Sequence, residues 1–295
     1  MKATKAKKNF SVFYAIIFLF LALYVFLFCF LFGWGFINSF KGQYDDGFGY
    51  YFDKIGFPKI WHFTNYVDVF FKLEIEINAV KYNILHMLSN TLLYTLGTAF
   101  VSTITPCIVA YLIATYDKFI FSKIVHTFVI VTMMLPIIGA TPSVIQVLRF
   151  FKYYDSIIGM WLMNVNFLVG IHFLIFYDAF RGVSKTYKEA AEIDGASQFR
   201  TMVSVMLPLV KTVFITVFLL RFIAYWNDYQ TPLLYMPNNP TIAYGIFIFS
   251  FQSDNVYSTV PMKLSAAFII AIPIIVLFVI FRNKIMQNVT VGGVK

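Results

Sequence analysis

Residues Glu189–Pro208 read EAAEIDGASQFRTMVSVMLP, the longest charged, helix-prone stretch in an otherwise oily chain. Lys185 to Ser197 is rich in Ala, Glu and Lys, all good helix formers. Ser184 can cap the start, and Glu189 and Glu192 fall in early turns, where the helix dipole favours acids. Gly195 lets the backbone turn or be approached closely. Phe199, Met202, Val203 and Met206 then recur at helical spacing, which predicts an apolar face laid against a larger bundle. Pro208 separates this second leg from the next apolar run. The pattern predicts a short polar helix that protrudes and a leg that returns.

The surroundings of this stretch are lipid-soluble. Hydrophobic residues make up 60% of the chain and charged residues 13%, whereas soluble domains run near half apolar and a quarter charged. Six segments are apolar and long enough to cross a hydrocarbon core. They are Val12–Phe32, which has no charge, then about Leu92–Tyr116, Ile124–Val147, Ile157–Phe180, Pro208–Trp226 and Leu264–Phe281. The first span comes after MKATKAKKNF but is too long for a signal-peptide core and lacks a small-residue cleavage site, so it reads as an uncleaved anchor.

Six spans put both termini on one side. Lys2, Lys5, Lys7 and Lys8 precede the first, Lys118 and Lys123 follow the second, and Arg181, Lys185, Lys188 and Arg200 follow the fourth. Arg282, Lys284 and Lys295 follow the last. The positive-inside rule makes this shared face cytoplasmic. The expected architecture is therefore all-α integral membrane, with six transmembrane helices, a cytoplasmic coupling helix and both termini cytoplasmic. Its segments are a cytoplasmic N-terminus (1–11), a first span (12–32) and an extracytoplasmic segment (33–87). A five-helix core (88–283) with its loop at 181–208 and a cytoplasmic tail (284–295) complete it. Residues 62–81 alternate loosely and read as helices lying on the outer surface. Ile242–Phe251 is apolar but too short to span, as a re-entrant or interfacial helix would be.

Several function classes drop out. A formal charge of +9 would point a soluble protein to nucleic acid, but here it comes from the cytoplasmic bias, and no basic cluster is interleaved with base-stacking aromatics. The four histidines show no metal-ligand spacing. Cys29 and Cys107 both lie in apolar runs, which disfavours a disulfide. No GxxxxGK[ST] phosphate loop occurs, and no cluster of acids, histidines or a nucleophile sits at membrane depth, so an intramembrane enzyme is disfavoured.

Glu189-Ala190-Ala191, then Asp194-Gly195-Ala196-Ser197, then Leu207-Pro208 resemble the EAA-loop signature of importer permeases of the ATP-binding-cassette class. Trp226-Asn227-Asp228 with Pro232-Leu233, Ser89-Asn90-Thr91, Ala110-Tyr111 and the tail VTVGGVK at Val289–Lys295 are similar to the maltose-permease-like carbohydrate branch. The resemblance covers most of the chain from Asn90 onward. It implies a plasma (inner) membrane subunit of a bacterium that works beside a second permease, ATPase subunits and an extracytoplasmic solute-binding protein. It also implies that ATP and Mg are held by the partner ATPase, with no cofactor or metal in this chain. Carried over by motif, Glu189, Ala190, Ala191, Asp194, Gly195, Ala196 and Pro208 form the ATPase-coupling segment. Gly292 and Gly293 give a tail contact with the ATPase, or a frayed terminus.

Polar residues at membrane depth are costly and point to cavities or partners. Arg221, Asp228, Asn164, Asn166 and Gln146 are the candidate cavity residues. Arg221 and Asp228 are seven residues apart, on nearly the same helical face, and are expected to interact directly or through water. His172 reads as a hydrogen-bonded packing residue. The expected cargo is a sugar or oligosaccharide. Peptide, lipid-linked or osmolyte cargo and, in a different class, a channel are the alternatives.

Overall fold

A computed structural model describes residues 12–42, 56–135, 139–165, 170–251 and 259–289, with side chains as far as residue 282. The elements run α1 (Val12–Asn38), α2 (Thr64–Lys72), β1 (Glu74–Ile77), β2 (Val80–Asn83), α3 (Ile84–Thr115), α4 (Ile120–Met134) and α5 (Thr141–Phe150). Next are α6 (Ile157–Met163), α7 (Gly170–Arg181), α8 (Lys185–Ile193), α9 (Gln198–Thr201), a π-helical turn (Met202–Met206) and α10 (Leu207–Leu209). Last come α11 (Lys211–Trp226), α12 (Gln230–Tyr235), α13 (Ile242–Phe251) and α14 (Val260–Val289).

Among the described residues, three helices are long and apolar enough to cross a membrane: Val12–Asn38, Ile84–Thr115 and Val260–Arg282. A fourth candidate, Gln198–Leu209 with Lys211–Trp226, is bent by 79°. The third and fourth expected spans are each in two pieces. Leu135 precedes Pro136 and is extended (ψ 120°), as sterics before proline demand. Gly139 takes φ +75°, and Pro142 sits at the start of α5, where its missing N–H costs nothing. Between α6 and α7, Asn164 ends one helix and Gly170 opens the next with φ +43°.

The chain divides into two compact units, Met1–Lys72 with Gln252–Ile269 and Leu73–Phe251 with Ile270–Lys295. In the first, nearly every residue of α1 from 12 to 32 is exposed, as a lipid-facing anchor requires. Burial begins at Gly35, Asn38 and Phe40. There the Phe40 ring meets Trp61, Phe63 and Tyr66. Asn65 Nδ2 donates to the carbonyls of Ser39 (2.8 Å) and Lys41 (3.0 Å), and Ser265 Oγ donates to Ser39 O at 3.0 Å.

In the second unit α3 is the central post, packed against α6, α7, α11 and α13. Several of its hydroxyls are turned onto its own backbone: Thr91 donates to Met87 O, Thr103 to Ala99 O and Thr105 to Val101 O. Thr95 and Thr98 Oγ1 are buried with no partner among the described residues. Gly97 gives the closest approach, because a Cβ there would lie 2.1 Å from the Trp161 ring. The indole in turn donates to Leu93 O at 3.1 Å. Small residues at such crossings allow the van der Waals contact that holds helices together in lipid.

The 62–81 expectation holds only in part. Its first half is helical (α2). Its second half is a two-stranded antiparallel hairpin in which Ile77 pairs with Val80. Asn78 and Ala79 have φ of 50° and 64°, the pair of positive values that a two-residue type I′ turn needs.

Candidate functional site

The polar helix α8 forms as its sequence requires. Ser184 Oγ accepts from Thr186 N and caps it. At the other end Gly195 has φ +76°. Ala196 N donates to Ala191 O (2.9 Å) and Gly195 N to Glu192 O (3.1 Å), the paired bonds of a Schellman stop. Ser197 Oγ then accepts from Arg200 N at 3.3 Å and starts α9. The two legs are tied by Gln198 Nε2 donating to Glu192 Oε1 at 2.9 Å, with Lys188 Nζ 3.4 Å from the same oxygen. The Gln198 hydrogen bond, and secondarily the Lys188 charge, hold the Glu192 carboxyl below the usual carboxylate range.

The side-chain exposures define two faces. Ala191 is buried, while Glu189, Ala190, Asp194 and Gly195 are exposed and Ala196 is half-buried. Nothing lies within 4 Å of a Cβ added at Gly195. Of the predicted apolar face, Met206 is buried and Met202 half-buried, but Phe199 is 72% exposed and Val203 41%. Phe199 and Val203 therefore do not lie on the bundle. Ile193, 86% exposed, is a second large apolar side chain left open on this polar segment. Sequence reasoning missed Ile193 altogether. Its signal was an isoleucine between two acids, Glu192 and Asp194, on a polar helix. Pro208 is exposed, and the break that ends this leg falls two residues later, at Val210 (φ −101°, ψ 12°). A cavity of about 290 Å³ separates α8 from the rest and is lined by Thr115, Asp117, Arg181, Lys185, Lys188 and Glu189, among others.

The cavity candidates separate into two pairings. Arg221 Nη2 lies 3.0 Å from His172 Nδ1. A guanidinium has no acceptor, so Nδ1 accepts and the ring proton sits on Nε2. Arg221 Nε is buried with no partner among the described residues. No direct Arg221–Asp228 bond is formed. Asp228 Oδ2 instead accepts from Tyr94 Oη at 3.2 Å, and Oδ1 accepts from Thr231 N at 3.0 Å, opening α12. Asp228 lies beyond Asn227, which caps α11, so the seven-residue helical register does not reach it. Asn164 Oδ1 accepts from Tyr225 Oη at 2.7 Å, and the Tyr225 and Tyr94 rings meet edge-on at 6.0 Å. Asn164–Tyr225 and Tyr94–Asp228 are thus two hydrogen-bonded pairs that meet through the edge-on contact of the two tyrosine rings, across α6, α11 and α3. Tyr94 and Tyr225 were not among the predicted cavity residues. Gln146 is exposed. Asn166, Gly292 and Gly293 lie outside the described residues. Among the described residues, no group of three His, Cys, Asp or Glu could hold a metal ion.

Residues 106–290 match the family described as "Binding-protein-dependent transport system inner membrane component". The chain belongs to this family. As an inner membrane component it is a membrane protein, in keeping with its apolar helices. The EAA-type resemblance is borne out at family level. One relative is the arabinooligosaccharides transport system permease protein AraQ of Bacillus subtilis (strain 168), 26% identical over 240 residues, or 81% of this chain and 80% of AraQ. Another is the maltodextrin transport system permease protein MdxG of the same organism, 28% identical over 216 residues, or 72% of this chain and 76% of MdxG. A crystal structure of a bacterial ABC transporter involved in the import of the acidic polysaccharide alginate contains a chain of the same fold. The TM-score is 0.74 at 18% identity, covering 95% of this chain and 99% of that one.

Proposed function

We propose that this inner membrane component is one of two pore subunits of an ATP-driven, binding-protein-dependent importer, and that its cargo is a sugar or oligosaccharide. The observation that carries the reading is the α8–Gly195–α9 turn, stiffened by its own bonds. It presents Ala190 and Asp194 outward, together with the exposed apolar side chains of Ile193 and Phe199, while Glu189 is exposed at the rim of the cavity beside α8. Such a surface suits a groove on a separate ATPase subunit, where ATP and Mg are held. The distribution of Lys and Arg supports a cytoplasmic α8, both termini cytoplasmic and a bacterial plasma membrane setting. The six-span count holds in this reading if α4–α5 and α6–α7 are each taken as one interrupted span and α11 as the fifth span. Interrupted helices are tolerated in membranes where other chain or a cavity satisfies the backbone.

In this reading, closure of the ATPase pair moves α8 and α9 as one body. Asn164, Tyr225, the buried Tyr94 and Asp228, together with the Arg221–His172 pair, then line the path exposed alternately to each side. The carbohydrate cargo rests on relatives named for arabinooligosaccharides and maltodextrin. The test is purification from the native membrane, then uptake of labelled oligosaccharides into cells with and without the gene. Co-elution with an ATPase and a second permease, together with loss of uptake in the deletion, supports the proposal. A self-sufficient homo-oligomer that passes solute without ATP sinks it.

A further inference from the structure

Two clefts meet at the end of α3 nearest α8. The first, about 380 Å³, is lined by Lys123, His126 and Arg181, with the hydroxyls of Ser122, Thr127 and Tyr177 and one carboxylate, Asp117. That carboxylate is already engaged by Lys185, 3.8 Å away. Neither Lys123 nor Arg181 has a carboxylate within ion-pair distance among the described residues. The Arg181 guanidinium instead rests over the Tyr177 ring at 5.6 Å, and the His126 ring packs on the same tyrosine at 4.8 Å. The first turn of α4 also borders the cleft through Ser122 and Lys123, and its preceding residue, Phe119, supplies no side-chain cap.

The second cleft shares Ile113 and Ser122 with the first, and its volume is about 550 Å³. Its walls are Val109, Leu112, Tyr116, Phe119, Phe121 and Val125, almost wholly apolar. Phe119 and Phe121 are 63% and 69% exposed at its rim. Two unpaired cations over one end of an apolar slot match an amphiphile with an anionic head. A soluble anion has no use for the slot, and an apolar partner helix has no use for the cations.

We propose that these joined clefts bind one anionic phospholipid, its phosphate against Lys123, His126 and Arg181 and one acyl chain along Leu112, Tyr116 and Phe121. Basic pockets between membrane helices, at the level where apolar wall gives way to charge, are suited to such headgroups. The site needs the chain to sit in a bilayer. It does not need the cargo or the ATPase contact, so it can fail while the transport reading stands. It also bears on that reading, because Arg181 and Asp117 line the cavity beside α8 as well.

The test uses the full chain in its purified membrane complex, stripped of lipid in detergent. Dioleoylphosphatidylglycerol, dioleoylphosphatidylcholine and sn-glycerol 3-phosphate are titrated in turn, read by melting temperature and by native mass spectrometry. Phosphatidylglycerol should raise the melting temperature and leave a one-to-one adduct. Phosphatidylcholine and glycerol phosphate should do neither at the same concentration. Lys123→Gln with Arg181→Gln should raise the half-saturating concentration of phosphatidylglycerol at least about tenfold. Leu112→Trp should do the same by filling the slot, and serves if the double variant does not fold. Lys123→Arg should bind as the parent does. Equal binding of phosphatidylcholine, equal binding of glycerol phosphate, or no change in the Gln and Trp variants overturns the proposal. So does the absence of any adduct from the intact complex because a partner subunit covers the slot.

Discussion

The two ends of α3 are built on opposite principles. Near its start, Asn90 Nδ2 donates to Pro240 O, and a polar clasp gathers the adjoining loops. Asp155 accepts from Asn238 N (2.9 Å), Asn238 Nδ2 (2.6 Å) and Asn239 Nδ2 (3.5 Å). Asn78 and Tyr82 of the hairpin also donate to Asn238. These bonds join segments 83 to 160 residues apart. At the far end, about 37 Å away along the helix, α8 and α9 are tied chiefly to themselves. Among the described residues, their side-chain polar links to the rest are an exposed ion pair, Lys185–Asp117, and the Lys188 ammonium over the Tyr116 ring at 5.2 Å, beside the buried Ala191 and Thr201. The clasp fixes distant pieces of chain, whereas the lever is stiff within itself and lightly attached. A part that passes motion from a partner needs the second construction.

Substitutions can break or sharpen this contrast. The largest expected effect is on transport, at the lever: Gly195→Asp should abolish uptake, since the docking face gains a charged side chain. The left-handed backbone there costs a non-glycine residue only about 1 kcal/mol, so the protein should still accumulate. Uptake and membrane abundance, measured together, check this, and normal uptake with Asp at this position would falsify the lever. Next, Asp155→Ala should lower stability by about 3 kcal/mol, because three donors lose a charged acceptor. Melting in detergent reads it, and ATPase co-purification of the surviving protein should be unchanged.

A smaller effect is expected at the exposed apolar side chains. Phe199→Ala should weaken ATPase retention by roughly tenfold and leave melting unchanged, because the ring touches no core. If melting drops instead, the ring belongs to the bundle. The smallest effect is a pH dependence. Glu192 titrates lower in the folded chain than its ordinary 4.5. Its contribution is therefore complete above that pH and disappears as pH falls through the depressed value. Limited proteolysis across 185–201 should speed up in that acid window. In Gln198→Ala the onset should move to higher pH.

The lever was readable in the sequence because every device that shapes it is local: Ser184, Gly195 and Ser197 act within four residues. The spans α1, α3 and α14 were readable for a similar reason, since length and hydropathy suffice, but the breaks in the third and fourth expected spans were not. The clasp was not, because Asp155, Asn238 and Asn78 are ordinary loop residues until the fold brings them together. The hairpin was hidden by Ala79, which adopts a positive φ that glycine would have advertised. Arg221 and Asp228 were paired on helical register, but α11 stops at Trp226, and His172, 49 positions away in sequence, takes the arginine.

In the proposed mechanism the sharp bend at Val210 sets how the load on α8 and α9 travels on. A pull along residues 198–209 would arrive nearly at right angles to α11, so little of it would act along that axis and most would become torque. The joint would then work as a crank, a short sweep at the protruding end tilting the helix that carries Arg221 and Tyr225.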